Sequence, residues 1–132
     1  MKYYIIAGEP SGDLHGGKLM YEIKREDCEA QFRFSGGDRM AAVGGRKNML
    51  YHYTGMSFFG FVQVACNLPT IFRQMKNVKA DIESFNPDVI ILIDYPAFNL
   101  RIAKWAKSRG IKVYYYIAPK VWASREGRIK KL

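Results

Sequence analysis

Three runs of residues in this chain are continuously apolar and rich in β-branched and aromatic side chains, and they constrain the fold more than any other feature. They occupy residues 3–7, 89–93 and 113–117. A strand with one face in water alternates apolar and polar residues, so continuous runs predict strands that are covered on both faces, as in a parallel sheet. Shorter runs at 31–34 and 49–53 are weaker candidates for further strands.

Helical patterns lie between the predicted strands. Apolar residues recur at helical spacing over residues 14–24, 70–85 and 100–107. Ser11 or Asp13 can cap the first helix, and Gly110 stands where the last helix should end. Alternation of strand and helix implies βαβ units with helices on both faces of the sheet. We therefore predict a Rossmann-like α/β fold with an open parallel sheet.

The size and charge of the chain limit which classes of function it can have. The chain has 132 residues, 48% of them hydrophobic, which suits one packed domain. Its net charge of +9 is carried entirely by residues 101–132, which hold ten basic residues and one acidic residue. A basic end of this kind indicates an anionic partner such as phosphate, nucleic acid or acidic lipid; solvated helix faces of a basic protein are the alternative.

No stretch approaches the roughly 18 apolar residues of a membrane span, so we expect a cytoplasmic location or attachment from the cytoplasmic side.

The loop after the first strand is a candidate binding site. In an open parallel sheet, ligands bind at the carboxyl ends of the strands. Here that position reads Gly8-Glu9-Pro10-Ser11-Gly12-Asp13, which combines two carboxylates and a hydroxyl with a helix start. Amide groups at a helix start can receive an anion or a sugar hydroxyl, whereas an ordinary turn with a cap is the alternative.

Two nucleotide motifs are absent or incomplete near this loop. Residues 12–18 read G-x-x-x-x-G-K, but Leu19 replaces the Ser or Thr that a phosphate-binding loop requires. The second glycine and Lys18 also fall inside the predicted helix instead of at its start. No G-x-G-x-x-G follows the first strand, so a dinucleotide site has little support.

Asp94 is the strongest catalytic candidate. It ends the buried run at 89–93, and a buried carboxylate is a better proton acceptor unless it is paired. Its alternative role is to cap the helix that follows Pro96.

After the third strand, Lys120 and Trp122 place a cation and an indole at the same sheet edge. Such a pair suits a sugar ring or an anionic group, and plain packing is the alternative.

Five blocks of the sequence resemble, in order and spacing, the first third of the lipid A disaccharide synthases. They are residues 7–13, 36–40, 60–64, 93–99 and 116–123. Departures from the usual pattern at Gln63, Ala97 and Ser124 leave Asp94 in place. The match covers nearly the whole chain, and the chain stops inside a basic helical pattern at 125–132, so we expect it to be a fragment.

The resemblance implies a bacterial glycosyltransferase of the GT-B architecture. Such an enzyme joins UDP-2,3-diacylglucosamine to 2,3-diacylglucosamine 1-phosphate, giving lipid A disaccharide 1-phosphate and UDP, with no metal or cofactor. Residues 1–132 would form the amino-terminal, acceptor-binding domain, and the carboxyl-terminal UDP-sugar domain would lie outside this chain. Asp94 would be the general base. The substrate-binding candidates are Glu9, Ser11, Gly12, Asp13, Asn99, Lys120 and Trp122.

Residues 58–72 predict attachment to a lipid surface, because this apolar segment is followed by the basic Arg73, Lys76 and Lys79. The predicted membrane-facing residues are Phe61, Val62, Val64, Leu68, Ile71 and Phe72. Packing in the domain's own core is the alternative. We thus expect a peripheral protein on the cytoplasmic side of the inner membrane. A homodimer is one assembly that the sequence allows.

Two rival functions come from other classes: a stand-alone Rossmann-like nucleotide-binding module, or a non-catalytic domain that binds anionic lipid. We expect no nucleic-acid partner, because the aromatics near the basic end, Tyr114, Tyr115 and Tyr116, fall in a strand predicted to be buried.

Overall fold

A computed structural model describes residues 1–53 and 68–116, with the side chains of 68–71 and 97 outside the description. This part of the chain forms a five-stranded, wholly parallel sheet in the order β3-β2-β1-β4-β5. The strands are β1 (Lys2–Ala7), β2 (Gln31–Gly36), β3 (Met49–His52), β4 (Val89–Ile93) and β5 (Lys112–Tyr116). The helices are α1 (Pro10–Glu26), α2 (Asp38–Gly44), α3 (Leu68–Phe85) and α4 (Pro96–Ser108). The predicted open parallel α/β fold is therefore confirmed.

The continuous apolar runs have a direct structural cause, because both faces of the central strands are buried. Side chains alternate along β1, so Tyr4 and Ile6 pack in a core with α3 and α4. Ile5 and Ala7 pack in a second core with α1 and α2. The strand β4 lies beside β1 and is buried at every position. Helices on both faces bury every residue of β4 and the last four residues of β1, whereas the first two residues of β1 are half-buried.

The sequence did not predict two short elements, α2 and the 3₁₀ turn Arg46–Asn48. The α2 helix has only seven residues, too few for a helical period to repeat and establish a pattern. Backbone amides at its start donate hydrogen bonds to a distant carboxylate, described below, and no local pattern could reveal this pairing.

One prediction about burial is wrong. The third apolar run forms β5, but the residues of β5 alternate between exposed and half-buried, with Tyr114 54% and Tyr116 39% exposed. The reason is position, since β5 is the edge strand of the described sheet and pairs only with β4 there. The burial argument against a nucleic-acid partner therefore fails, and the absence of such a partner stays a prediction.

The order of the strands determines where a ligand can bind. From β1 the chain runs to β2 on one side, whereas β4 returns on the other side of β1. This reversal is a topological switch point, and it opens a crevice between the loops that follow β1 and β4. The two candidate loops of the sequence, at Glu9 and at Asp94, are the two that flank this crevice.

Candidate functional site at the switch point

The loops after β1 and β4 meet through a tyrosine and a glycine. A side chain at Gly8 would overlap the ring of Tyr95, so only glycine allows this close approach. The Tyr95 ring also stacks on Phe98, with centroids 5.6 Å apart and planes inclined by 14°. Burial raises the pKa of the Tyr95 hydroxyl, and the negative charge of Glu9 raises it further. The ring of Tyr95 therefore brings the two loops together beside Glu9.

The backbone at Asp94 is in a conformation that L-residues rarely adopt. Asp94 has φ 47° and Tyr95 has φ 49°, so two successive non-glycine residues are left-handed. Each such residue costs on the order of 1–3 kcal/mol, and such residues cluster at functional sites. Asp94 is only 4% exposed. Tyr95, and not Asp94, occupies the N-cap position of α4.

Three groups hold the Asp94 backbone in this conformation. The Asn99 amide nitrogen donates to the carbonyl oxygen of Asp94 at 2.8 Å, and the Tyr115 hydroxyl donates to the same oxygen at 2.7 Å. The Asp94 amide in turn donates to the carbonyl of Tyr116 at 2.9 Å. Asp94 is thereby attached to α4 and β5 at once.

Asn99 is turned inward. Its side chain is fully buried, and besides Asp94 its nitrogen donates to the carbonyls of Ile93 at 3.3 Å and Ile6 at 3.4 Å. These carbonyls lie at the ends of β4 and β1. The substrate contact predicted for Asn99 stays a prediction, but the geometry gives its amide a supporting role beneath Asp94.

Asp13 is also turned inward. Its carboxylate accepts three backbone amide bonds, from Gly37 at 2.8 Å, Met40 at 3.0 Å and Arg39 at 3.1 Å. The predicted cap of the first helix by Ser11 or Asp13 is wrong, because that helix begins at Pro10 with Glu9 at its N-cap. Asp13 supplies instead the acceptors that the start of α2 needs, and so connects the loops after β1 and β2.

Gly17 explains why the phosphate-loop pattern is misleading. A side chain at Gly17 would lie 3.1 Å from the carbonyl oxygen of Arg39, so glycine lets α1 pack closely on α2. Lys18 follows it within α1 and is exposed. Both residues belong to the body of the helix, as predicted, and not to a loop around a phosphate.

The other predicted residues divide into four groups. Glu9 and Ser11 are half-buried beside the crevice, and within the described residues the buried Ser11 hydroxyl oxygen has no hydrogen-bond partner. Gly12 is buried, and a side chain there would meet Ala7 at 3.2 Å. Five residues lie outside the described ranges: Lys120, Trp122, Phe61, Val62 and Val64. Leu68 and Ile71 lie in α3, with side chains outside the description, and Phe72 is 52% exposed.

Sequence reasoning missed Tyr115. Burial raises its pKa to about 12, and the negative charge of Asp94 contributes to the same shift. The hydroxyl therefore stays protonated at neutral pH and acts as a donor. No local signal could have singled it out, because a tyrosine within an apolar strand is equally typical of a packing residue.

Comparison with known proteins shows which family the sequence of this chain matches. The family model described as Lipid-A-disaccharide synthetase matches residues 3–132. The chain is 44% identical to the Lipid-A-disaccharide synthase of Geobacter metallireducens over 97% of its own length, and 39% identical to that of Chromohalobacter salexigens over 100%. Identity to the enzyme of the same name from Paramagnetospirillum magneticum is 43% over the whole chain. The chain spans 33–34% of the length of these relatives.

Proposed function

The chain belongs to the lipid-A-disaccharide synthase family, and on that premise we propose that it forms the acceptor-binding part of a glycosyltransferase of lipid A biosynthesis. The proposed reaction transfers the sugar of UDP-2,3-diacylglucosamine to 2,3-diacylglucosamine 1-phosphate and releases UDP. The observation that carries the proposal is a buried, conformationally strained aspartate at the switch point of the sheet. The UDP-sugar would bind to a part of the protein outside this chain.

Asp94 is the proposed general base. Its carboxylate would take the proton of the acceptor's 6-hydroxyl as that oxygen attacks the anomeric carbon of the donor. The bond from the anomeric carbon to the UDP oxygen breaks, and UDP leaves with the electron pair. Attack from the face opposite the leaving group gives a β-1,6 linkage with inversion.

The loop after β1 would bind the sugar of the acceptor. Glu9 and the hydroxyl of Ser11, which has no hydrogen-bond partner among residues 1–53 and 68–116, lie at the start of α1 on the other side of the crevice from Asp94. A hydroxyl can donate hydrogen bonds to sugar hydroxyls or accept them, and a carboxylate can accept them. Asp13, Gly12 and Asn99 would act beneath this surface by holding the loops, and the sequence adds Lys120 and Trp122 as further candidates.

Replacing Asp94 tests the proposal. In the complete protein that contains these residues, Asp94→Asn should lower kcat by about 100-fold or more, since general-base assistance is typically worth that much. The matched control is Asp38→Asn, which changes a 72% exposed carboxylate at the same sheet edge and should leave turnover unchanged. Near-normal turnover of a folded Asp94→Asn protein would remove Asp94 from the mechanism.

We also propose peripheral attachment to the inner membrane from its cytoplasmic side. No helix in residues 1–53 or 68–116 is long and apolar enough to cross a bilayer. Support comes from the outer faces of α3 and α4, where exposed apolar side chains stand beside exposed cations. Phe72 lies next to Arg73 and Lys76, and Leu100 next to Arg101 and Lys104. Apolar groups with basic neighbours suit an anionic lipid surface.

The alternatives differ in what they require of the crevice. A nucleotide-binding module would need a phosphate loop, but the residues resembling one, Gly17 and Lys18, belong to the body of α1. A non-catalytic lipid-binding domain would tolerate loss of Asp94 without a functional effect. The donor and acceptor sugars are therefore the partners we propose, and a homodimer remains an alternative assembly.

A further inference from the structure

We propose that Tyr115 and Asn99 are positioning residues that hold the Asp94 carboxylate in its reactive orientation. The inference rests on the proposed function, in which Asp94 is the general base. It adds two residues that need not touch substrate and that act through the peptide group between Asp94 and Tyr95.

Both lone pairs of the Asp94 carbonyl oxygen are engaged. One accepts the Tyr115 hydroxyl from β5 at 2.7 Å, and the other accepts the Asn99 amide from α4 at 2.8 Å. On the other side of the residue, the Asp94 amide is bound to the carbonyl of Tyr116 at 2.9 Å. The peptide groups before and after Asp94 are thus held from two separate elements.

This anchorage opposes a local backbone preference. The left-handed conformations of Asp94 and Tyr95 are unfavourable for L-residues, so the turn tends to rotate toward ordinary backbone angles. Such a rotation would swing the Asp94 carbonyl away from its two donors and re-aim the side chain. The two donors therefore keep the carboxylate pointing where the strained turn directs it. A misplacement of about 1 Å at a reacting group can cost on the order of 100-fold in rate.

The strand β5 supplies its own control. Tyr115 lies on the side of β5 that packs with α4, whereas Tyr114 points the other way and is 54% exposed. Tyr115→Phe removes only the oxygen that donates to Asp94. Tyr114→Phe makes the identical chemical change one residue away, so it controls for any general effect of losing a tyrosine hydroxyl from this strand.

The test is a double-mutant cycle in the complete protein, with kcat and KM measured for the sugar acceptor. Tyr115→Phe should lower kcat by about tenfold, because the turn relaxes in part. KM should stay within about twofold, since ground-state binding does not use the Asp94 orientation. Tyr114→Phe should match the parent. In an Asp94→Asn background, Tyr115→Phe should cause no further loss of kcat, because the group it positions is already gone.

Several results would overturn the inference. One such result is a kcat of Tyr115→Phe equal to that of the parent. Another is a double variant whose fold-loss in kcat is the product of the fold-losses of Tyr115→Phe and Asp94→Asn. Either result would show that the Tyr115 hydroxyl does not act through Asp94. Asn99→Ser provides a second test, because the shorter side chain cannot reach the Asp94 carbonyl. We expect it to lower kcat as Tyr115→Phe does. In the Asp94→Asn background, it should cause no further loss of kcat. Thermal midpoints close to the parent's show that each variant is folded. Failure of the proposed function would appear separately, as normal turnover of Asp94→Asn alone.

Discussion

Asp13 illustrates how one side chain can acquire a role that its local sequence does not suggest. It stands in the first turn of α1, where a carboxylate ordinarily stabilises its own helix. In the folded chain, its two oxygens accept bonds from the amides of Gly37, Arg39 and Met40 instead. The buried carboxylate thereby compensates for the free amides at the start of α2, and the loops after β1 and β2 are coupled through it.

We expect Asp13→Ala to lower the free energy of unfolding by about 3 kcal/mol. Three amides lose a charged acceptor, and two of these bonds are buried, where unsatisfied donors are costly. The measurement is urea denaturation of the purified chain. Glu22→Ala on the exposed side of the same helix removes only a surface pair with Arg25, so it should cost no more than about 0.5 kcal/mol. Equal losses for the two variants would show that the Asp13 bonds contribute no more than an exposed ion pair.

At the scale of elements, helices on the two faces of the sheet each present one aromatic and two basic side chains to solvent. The outer face of α3 carries Phe72 with Arg73 and Lys76, all exposed. On the opposite side of the sheet, α1 carries Tyr21 with Lys24 and Arg25, also exposed. The two triads have the same charge and a similar exposed aromatic. Replacing each triad in turn therefore distinguishes binding through a specific membrane face from general attraction of a basic protein to anionic lipid.

We expect the combined change Phe72→Ser, Arg73→Gln and Lys76→Gln to lower binding to anionic liposomes by roughly tenfold or more. Each cation near an anionic bilayer contributes about 1 kcal/mol, and loss of the aromatic ring removes apolar contact area. Binding is measured by sedimentation with liposomes at low and high salt, and the parent's binding should weaken as salt is raised.

The control for this experiment is the combined change Tyr21→Ser, Lys24→Gln and Arg25→Gln on α1. It removes the same charge and a similar ring from the other side of the molecule. Binding close to that of the parent is expected. If both triple variants lose binding equally, attraction depends on net charge and α3 is not the membrane face.

For the whole molecule, tyrosines connect the sheet to its helices. The Tyr4 hydroxyl on β1 donates a hydrogen bond to the Asp81 carboxylate on α3 at 2.7 Å. The same carboxylate accepts a hydrogen bond from the Arg33 guanidinium of β2 at 2.8 Å. Burial raises the pKa of Tyr4 well above its ordinary value, and the bond to Asp81 raises it further. Tyr115 connects β5 to the Asp94 turn, and its pKa is raised to about 12, mainly by burial. Both hydroxyls are therefore neutral donors in the fold.

These shifts predict that the fold weakens at high pH. A tyrosine whose folded pKa exceeds the unfolded value of 10.0 holds its proton more tightly in the folded state. Its contribution to stability is complete below pH 10 and is lost as pH rises from 10 toward 12. We expect urea midpoints of the purified chain to be level near pH 8 and to fall between pH 10 and 12. Tyr115→Phe should show a shallower fall, and an unchanged slope would contradict the shift assigned to Tyr115.

Local sequence determined the longer strands and helices in the described part of this protein, although not the short α2. Continuous apolar runs predicted β1 and β4 to within one residue, because burial on both faces requires apolar side chains at every position. The breaks after Phe85 and Ser108 were equally readable, since Asn86 and Gly110 adopt the positive φ expected where a helix ends. Asp94 could be chosen as a candidate because a carboxylate at the end of a buried strand stands out in the sequence.

Tertiary structure alone decided how these elements meet. The order of the strands left β5 at the edge and exposed Tyr114, although its sequence resembles that of a buried strand. Pairings between residues far apart turned Asp13 toward α2 and brought Tyr115 and Asn99 onto the Asp94 carbonyl. The physical reason is that periodicity reports the environment along one segment. A hydrogen bond across 21 residues, as between Tyr115 and Asp94, depends on where the sheet places both of its ends.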